Sequence, residues 1–302
     1  MSQPLISVII PCYNYGHLIS RATASVFAQK IDEVEVLIID DGSTDDSKLV
    51  IPQLQKKYPE LRAIHQKNAG LAAVRNRGVE ETVGRFLVFL DADDEFDTGA
   101  LKAVGDAIRQ EPDAQVIIGG HTSVSDSGRE RYHSAPAVSE SGFQRFADYL
   151  NKKLTISNGS TFFHRAIFDV TRYPEDCRNS EDIPVSAHAV GLFECFSIDK
   201  SLAKVHKHDD SLRHNIEYAD QVALKIVDYV FNPTIIPDNF MVIQNKYKAQ
   251  RCLSVFRTFY LSGKYNRAKT YYITAISIDP KMVLKFSYLR KFIKSLFFRE
   301  KV

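Results

Sequence analysis

The sequence predicts an α/β chain: a mixed, mainly parallel sheet flanked by helices, followed by an α-helical C-terminal extension. Over the first hundred residues, short β-branched runs alternate with helix-like stretches, the pattern of a parallel sheet covered by helices. Beyond about residue 215 the strand signals stop and long helical periodicity takes over. With 302 residues, 44% of them hydrophobic and 25% charged, the chain can bury a large core, which excludes wholesale disorder.

The elements follow in order. Residues 6–10 read as a strand, 18–29 as a helix, 34–39 as a strand and 47–57 as a helix. Then come a short strand at 62–65, a helix at 72–82 and a strand at 85–90. Each strand is a continuous apolar run rather than a strict alternation, so both faces of the sheet should be covered. Further on, 100–109 predicts a helix, 115–119 a strand, and 123–141 a polar, turn-rich loop or hairpin. A helix at 143–152 and a strand at 160–164 lead to the charged segment 175–182. A boundary near 215 divides an α/β domain, 1–215, from a helical region, 216–302.

In the helical region, 248–279 reads as two antiparallel helices about a turn at 261–268. Gly263, Tyr265, Ala268, Tyr272, Ala275 and Pro280 resemble one tetratricopeptide repeat. One repeat cannot bury its own face, so its partner should be the α/β domain or the last helix. That last segment, 281–302, holds seven basic residues against Glu300 alone. Phe286, Leu289, Ile293, Leu296 and Phe297 fall on one face of it. Such a helix either lies in an anionic membrane surface or packs on the repeat with its lysines solvated.

The net charge of +2 comes from nearly balanced acids and bases, so nucleic acid is not an expected partner. Cys12, Cys177, Cys195 and Cys252 lie far apart and form no CxxC pair, which argues against a zinc site or a disulfide framework. The N-terminus lacks the charged region and cleavage site of a signal peptide, and no run approaches ~18 apolar residues. The expected location is the cytoplasm, peripheral on the inner face of the cell membrane where the last helix takes the lipid role. A homo-oligomer is compatible with this composition, which does not specify one.

Functional residues in such a sheet gather beyond the carboxyl ends of its strands, and the polar residues at 11–14, 40–45 and 91–94 do so. The tetrad DADD presents Asp91, Asp93 and Asp94 where carboxylates can close around a hard divalent cation. The same residues could instead cap a helix, with Asp94 and Glu95 in its first turn. In IDDGSTDDS, 39–47, Asp45 or Asp46 reads as an N-cap and Gly42 as the turn residue. Asp40 and Asp41, adjacent acids ending a buried strand, cost desolvation unless something binds them. A nucleoside would, through ribose hydroxyls and a base N–H, with Pro11 and Tyr13 as a wall for the base. The segment KNAGLAAVRNRG, 67–78, sets Lys67, Arg75 and Arg77 around a helix start that favours anions. Arg75 and Asn76 could face a donor there, or the cations could be plain surface residues with Asn68 as the N-cap.

Taken together, SVIIPCYN at 7–14, IDDGSTDDS, NAGLAAVRNRG and FLDADDE at 89–95 resemble glycosyltransferase family 2 in order and spacing, over residues 5 to about 215. The resemblance implies a GT-A fold and an inverting, metal-dependent transfer from a nucleoside diphosphate sugar. The favoured donor is a UDP-sugar, with dTDP-sugars also fitting. The acceptor would be a hydroxyl of a glycan or lipid-linked molecule in bacterial surface polysaccharide assembly. It places the donor against Pro11, Tyr13, Asn14, Asp40, Asp41, Lys67, Asn68, Gly70, Arg75, Asn76, Asp91 and Ala92, with Asp41 as the nucleoside contact. Asp93 is the principal ligand of Mn2+ or Mg2+, and Asp91 lies toward the ribose and the metal shell.

The family's later acidic pair is matched by SEDIP at 180–184, with Glu181 beside Asp182 as the base that takes the acceptor proton. HKHDDSLRHN, 206–215, resembles the segment that closes over the diphosphate. There His208 is a metal or phosphate ligand and Ser211 and Arg213 bind phosphate oxygens, with His206 and His214 leaving the register open. The chain contains no tryptophan, and with it goes the Gln-x-x-Arg-Trp signature of processive members, so polymerising activity is not expected.

Two other classes fit the sequence less well. A nucleotidyltransferase would carry a Gly-rich, basic loop after the first strand, and PCYNYGH at 11–17 is not one. A non-catalytic sugar-nucleotide-binding scaffold would have no need of Glu181 and Asp182.

Overall fold

A computed structural model describes residues 3–207, 222 and 224–297. The chain divides into two compact units, Met1–Glu175 with Val185–Ser211, and Asp176–Pro184 with Leu212–Val302. The segment 176–184 thus groups with the helical region, a division that a single boundary near 215 does not make.

The first unit is built on one mixed sheet. Its parallel half consists of β1 (Ile6–Cys12), β2 (Val34–Asp40), β3 (Leu61–His65) and β4 (Phe86–Phe89), in the order β3-β2-β1-β4. Because successive side chains point to opposite faces, the continuous apolar runs supply two cores. Val8, Ile10, Val36, Ile38, Phe86 and Val88 pack with α1 (Ile19–Phe27), α2 (Ser47–Lys57) and α4 (Ala100–Gln110). Ile9, Leu37, Ile39, Leu87 and Phe89 pack with α3 (Leu71–Glu81) on the other side. Each fully buried side chain of this size stabilises the fold by about 1.5–3 kcal/mol.

The remaining strands are β5 (Glu95–Phe96), β6 (Val116–Val124), β7 (Glu130–His133), β8 (Thr161–His164) and β9 (Cys195–His206). The order continues from β4 through β8, β6 and β9 to β5, with β7 paired to β6. β8 runs antiparallel to both β4 and β6, whereas β9 runs parallel to β6. The mixed, mainly parallel sheet expected from the sequence is therefore present. β6 extends past residue 119 through a register shift at Gly119 to His121, and its pairing with β7 makes 121–133 a hairpin, followed by a loop over 134–141. β9 and β5 carry no strand signal in the sequence. CFSIDKSLAKVH is too polar for an apolar run, and it is a strand because β6 and β5 satisfy its backbone.

Short helices α5 (Gly142–Leu150) and α6 (Ile167–Val170) follow on the chain, then α7 (Asp182–Leu192), whose residues from Val185 belong to this unit. Arg145 is buried, and its guanidinium donates to the carbonyls of Ser139, Glu140, Val190 and Phe193, tying α5 to the end of α7.

In the second unit, α8 (Lys225–Val230) holds Asp176 through Lys225 and Tyr229. α9 (Gln244–Leu261) and α10 (Tyr265–Ile278) form a hairpin in which Cys252, Phe256 and Phe259 meet Ala268, Tyr272 and Ala275. α11 (Phe286–Phe297) lays Tyr288, Leu289 and Phe292 against that core, with Phe292 stacked on Tyr272 at 4.3 Å between ring centres. The last helix is thus a partner of the repeat-like pair. The four cysteines are free, three buried and Cys195 half-buried. Among the described residues, no helix is long and apolar enough to cross a membrane.

Candidate active site

The parallel register sets Cys12 beside Asp40 and Asp40 beside His65, so the loops after β1, β2 and β3 leave the sheet at one edge. These loops are tied to each other side chain to main chain. Asn14, at φ 60, accepts the Thr44 N–H at 2.8 Å and donates its own N–H to Ser43 Oγ at 2.9 Å. Asp45 accepts from the Gly16 N–H and from Ser47. Burial pushes the Asp45 carboxyl up, but these hydrogen bonds outweigh it and hold the group below the ordinary carboxylate range.

Asp40 is fully buried and folds back on its own turn, accepting the Ser43 N–H at 3.0 Å and meeting His65 Nδ1 at 2.9 Å. Here too burial raises the pKa, and the bonds from Ser43 and His65 more than reverse it. Asp41, buried beside it, accepts from Gln66 Nε2 at 2.7 Å, the Ala69 N–H at 2.9 Å and the Gly70 N–H at 2.8 Å. Two glycines make this approach possible. A Cβ on Gly42, at φ +75, would come within 2.8 Å of the Asn68 nitrogen, and Gly70 sits at φ 93, outside the range of other residues, where α3 begins. The adjacent acids that seemed to need a ligand are thus already partnered by protein donors. Pro11 is buried in β1, while Tyr13 and Lys67 and Asn68 in the β3–α3 loop are exposed.

The acidic turn follows β4. Ligand oxygens of Asp91, Asp93 and Asp94 lie within 4.8 Å of one another, close to the spacing around one divalent ion with bonds of about 2.1–2.5 Å. Arg21 of α1 donates to the main-chain oxygen of Asp93. Arg75 of α3 is buried, stacks on Phe89 and Tyr173, and places Nη2 3.5 Å from Asp91 Oδ1. Asp94 is buried and accepts the His206 N–H at 3.0 Å, while His206 Nε2 meets Glu95 at 3.1 Å. Burial, then the charges of Asp91 and Asp93, push the Asp94 carboxyl up to about 8. A cation between the three would relieve that repulsion, so the donor set fits a hard divalent metal.

The sign of the Asp94 shift makes a prediction. Unfolded, the group titrates near 4, so between about 4 and 8 the folded state binds the extra proton and loses stability as the pH rises. Asp94→Asn should flatten this fall, by on the order of a few kcal/mol at pH 8, and manganese should flatten it in the wild type. Thermal melts from pH 5 to 8 in chelator check it, and parallel curves for the two proteins would remove the assignment.

Other residues picked from sequence take different places. The amide of Asn76 both donates to and accepts from the main chain of Tyr173, which makes it a tie between α3 and the 173 segment. With Lys67 it lines a shallow groove of about 380 Å³ that also includes Arg77 and Glu175, and none of Asp40, Asp41, Asp91 and Asp93 lines it. The methyl of Ala92 is buried in the core and offers no polar side-chain group. Glu181 is buried, and Asp182 opens α7, where a carboxylate is favoured by the helix N-terminus. His208, Ser211 and Arg213 lie outside the described residues. Nothing in the sequence points to Arg21 at this site, or to the bond from His206 to Asp94. Asp94 was visible in the tetrad, whereas His206 depends on β9, which has no sequence signal.

The family model for "Glycosyl transferase family 2" matches residues 7–171, which include the loops after β1, β2, β3 and β4. The chain belongs to glycosyltransferase family 2. Among relatives, an uncharacterized glycosyltransferase of Escherichia coli K12, YibD, is 43% identical over 90 residues, 30% of this chain and 26% of its own. An uncharacterized glycosyltransferase of Rickettsia conorii, RC0461, is 32% identical over 211 residues, 68% of this chain and 33% of its own. The chain therefore spans about a quarter to a third of the length of these curated relatives. Of solved structures, Staphylococcus aureus TarS 1–349 in complex with UDP-GlcNAc superposes with TM-score 0.69 at 20% identity, covering 96% of this chain and 88% of that one. A second crystal structure of TarS 1–349 gives TM-score 0.66 at the same identity and coverage. At that identity the likeness concerns the fold, which is of the GT-A type expected for family 2.

Proposed function

We propose that the chain transfers a sugar from a nucleoside diphosphate sugar, a UDP-sugar by preference, to a hydroxyl of a glycan or lipid-linked acceptor, as one inverting displacement in bacterial surface polysaccharide assembly. The convergence of Asp91, Asp93 and Asp94 at the end of β4, beside the loops tied together by Asn14, Asp41 and Asp45, carries this reading. The UDP-GlcNAc bound by TarS supports the choice of donor. The reaction takes place at the cytoplasmic face of a membrane, to which the segment 281–302 brings the enzyme.

A bound Mn2+ or Mg2+ would neutralise charge on the leaving diphosphate. Asp93 and Asp91 would hold it, with Asp94 in the same turn, and His208 would be a further ligand. Arg75 balances the charge of Asp91 and fixes that carboxylate toward the ribose. Asp41 holds the 66–70 loop beside the nucleoside through Gln66, Ala69 and Gly70, with Tyr13 as the wall for the base. On the acceptor side Asp182 takes the hydroxyl proton on a carboxylate oxygen as the acceptor oxygen bonds to the anomeric carbon. The bond from that carbon to the diphosphate oxygen breaks, and its electron pair leaves with the diphosphate.

Product analysis with UDP-sugars and manganese tests this. Sugar transfer releases a nucleoside diphosphate and gives a product of inverted anomeric configuration. Release of pyrophosphate would instead identify nucleotidyl transfer, and donor binding without any product would identify a scaffold.

A further inference from the structure

Residues 281–297 carry Lys281, Lys285, Arg290, Lys291 and Lys294 and no acidic side chain. The apolar side chains of α11 divide into two sets. Tyr288, Leu289 and Phe292 pack into the core of the α9–α10 pair. Phe286, Ile293, Leu296 and Phe297 stay outside it, 76%, 48%, 54% and 82% exposed. At 3.6 residues per turn Phe286, Ile293 and Phe297 share an arc of about 40° beside the packed residues, while Leu296 lies at the angle of the packed set, about one turn beyond Phe292. Arg290 and Lys294 border the free edge of that arc. Val283 and Leu284, just before the helix, are exposed as well. Lys291 lies elsewhere, over the Tyr288 ring and bonded to Ser287. Within the single apolar face that periodicity suggests, Leu289 belongs to the protein core and the rest of the set is uncovered.

We propose that this uncovered part of α11 enters an anionic lipid surface, with Phe286, Ile293, Leu296 and Phe297 at the acyl boundary and Arg290 and Lys294 on lipid phosphates. The inference rests on the proposed membrane-side transfer and names the residues that make the contact. Charge chooses lipid over a second copy of the chain. In a twofold dimer through this strip, Arg290 and Lys294 would approach their own counterparts with no acid among residues 281–297 to pair with them, whereas an anionic membrane presents a plane of acceptors.

Sedimentation of the full chain with phosphatidylglycerol-containing vesicles, set against pure phosphatidylcholine vesicles, tests the assignment. The wild type should bind the anionic vesicles and lose binding in high salt. Combined Phe286→Ser, Ile293→Ser and Phe297→Ser should lower partition at least about tenfold with an unchanged melting curve, because these side chains are outside the core. Arg290→Gln with Lys294→Gln should lower it by about fivefold for each charge. Equal binding by the wild type and the triple variant, or equal binding to neutral vesicles, would overturn the proposal. So would a wild-type dimer that the triple variant dissolves. Thermal shift with a UDP-sugar on the same samples keeps the two readings apart. A chain that binds donor but no vesicle refutes the lipid face alone, and one that binds vesicles but no donor refutes the transferase reading and leaves the lipid face standing.

Discussion

Asp182→Asn should lower turnover by about 10²–10⁴-fold while donor affinity stays within about twofold. The substitution keeps the shape of the side chain and removes only its capacity to accept a proton. Asp182 lies in the first turn of α7, so losing its charge there costs about 0.3–1 kcal/mol of helix stability, too little to unfold the chain. Any large loss of rate is then chemical. Steady-state kinetics together with a donor titration separates the two, and a variant that turns over like the wild type would require another base.

The second large effect is expected at Asp93. Asp93→Ala removes one of three carboxylates whose oxygens lie within 4.8 Å, and manganese affinity should fall at least about 10–100-fold, the loss seen for groups one shell further out. Donor affinity should fall with it only while manganese is present, and the metal-free variant should bind donor as the wild type does in chelator. The removal also takes one of the charges off Asp94, so the metal-free variant should be no less stable than the wild type at pH 8. Calorimetry with manganese and with donor, each alone and together, resolves this. Undiminished manganese binding would place the ion elsewhere.

The parallel half of the sheet was legible because its strands are buried on both faces, which forces runs such as Ile6 to Ile10 and Phe86 to Leu90. The acidic turn was legible because its residues are consecutive. β9 was not, since a strand whose side chains are mostly half-buried shows no apolar run, and with it went His206 and its bond to Asp94. Asn76 and Asp41 show a second limit. Residue type announces a hydrogen-bonding group, but only the fold reveals that the partners are Tyr173 in one case and Gln66, Ala69 and Gly70 in the other. The tail shows a third, because helical periodicity cannot divide one apolar stripe between protein and solvent.

The loops after β1, β2 and β3 are laced together by Asn14, Asp45 and Asp41 before any nucleotide arrives. A pocket rim riveted in this way has little disorder left to surrender when a guest settles in. In the proposed transfer, the attraction it offers can therefore go into straining the sugar–phosphate linkage rather than into assembling its own walls.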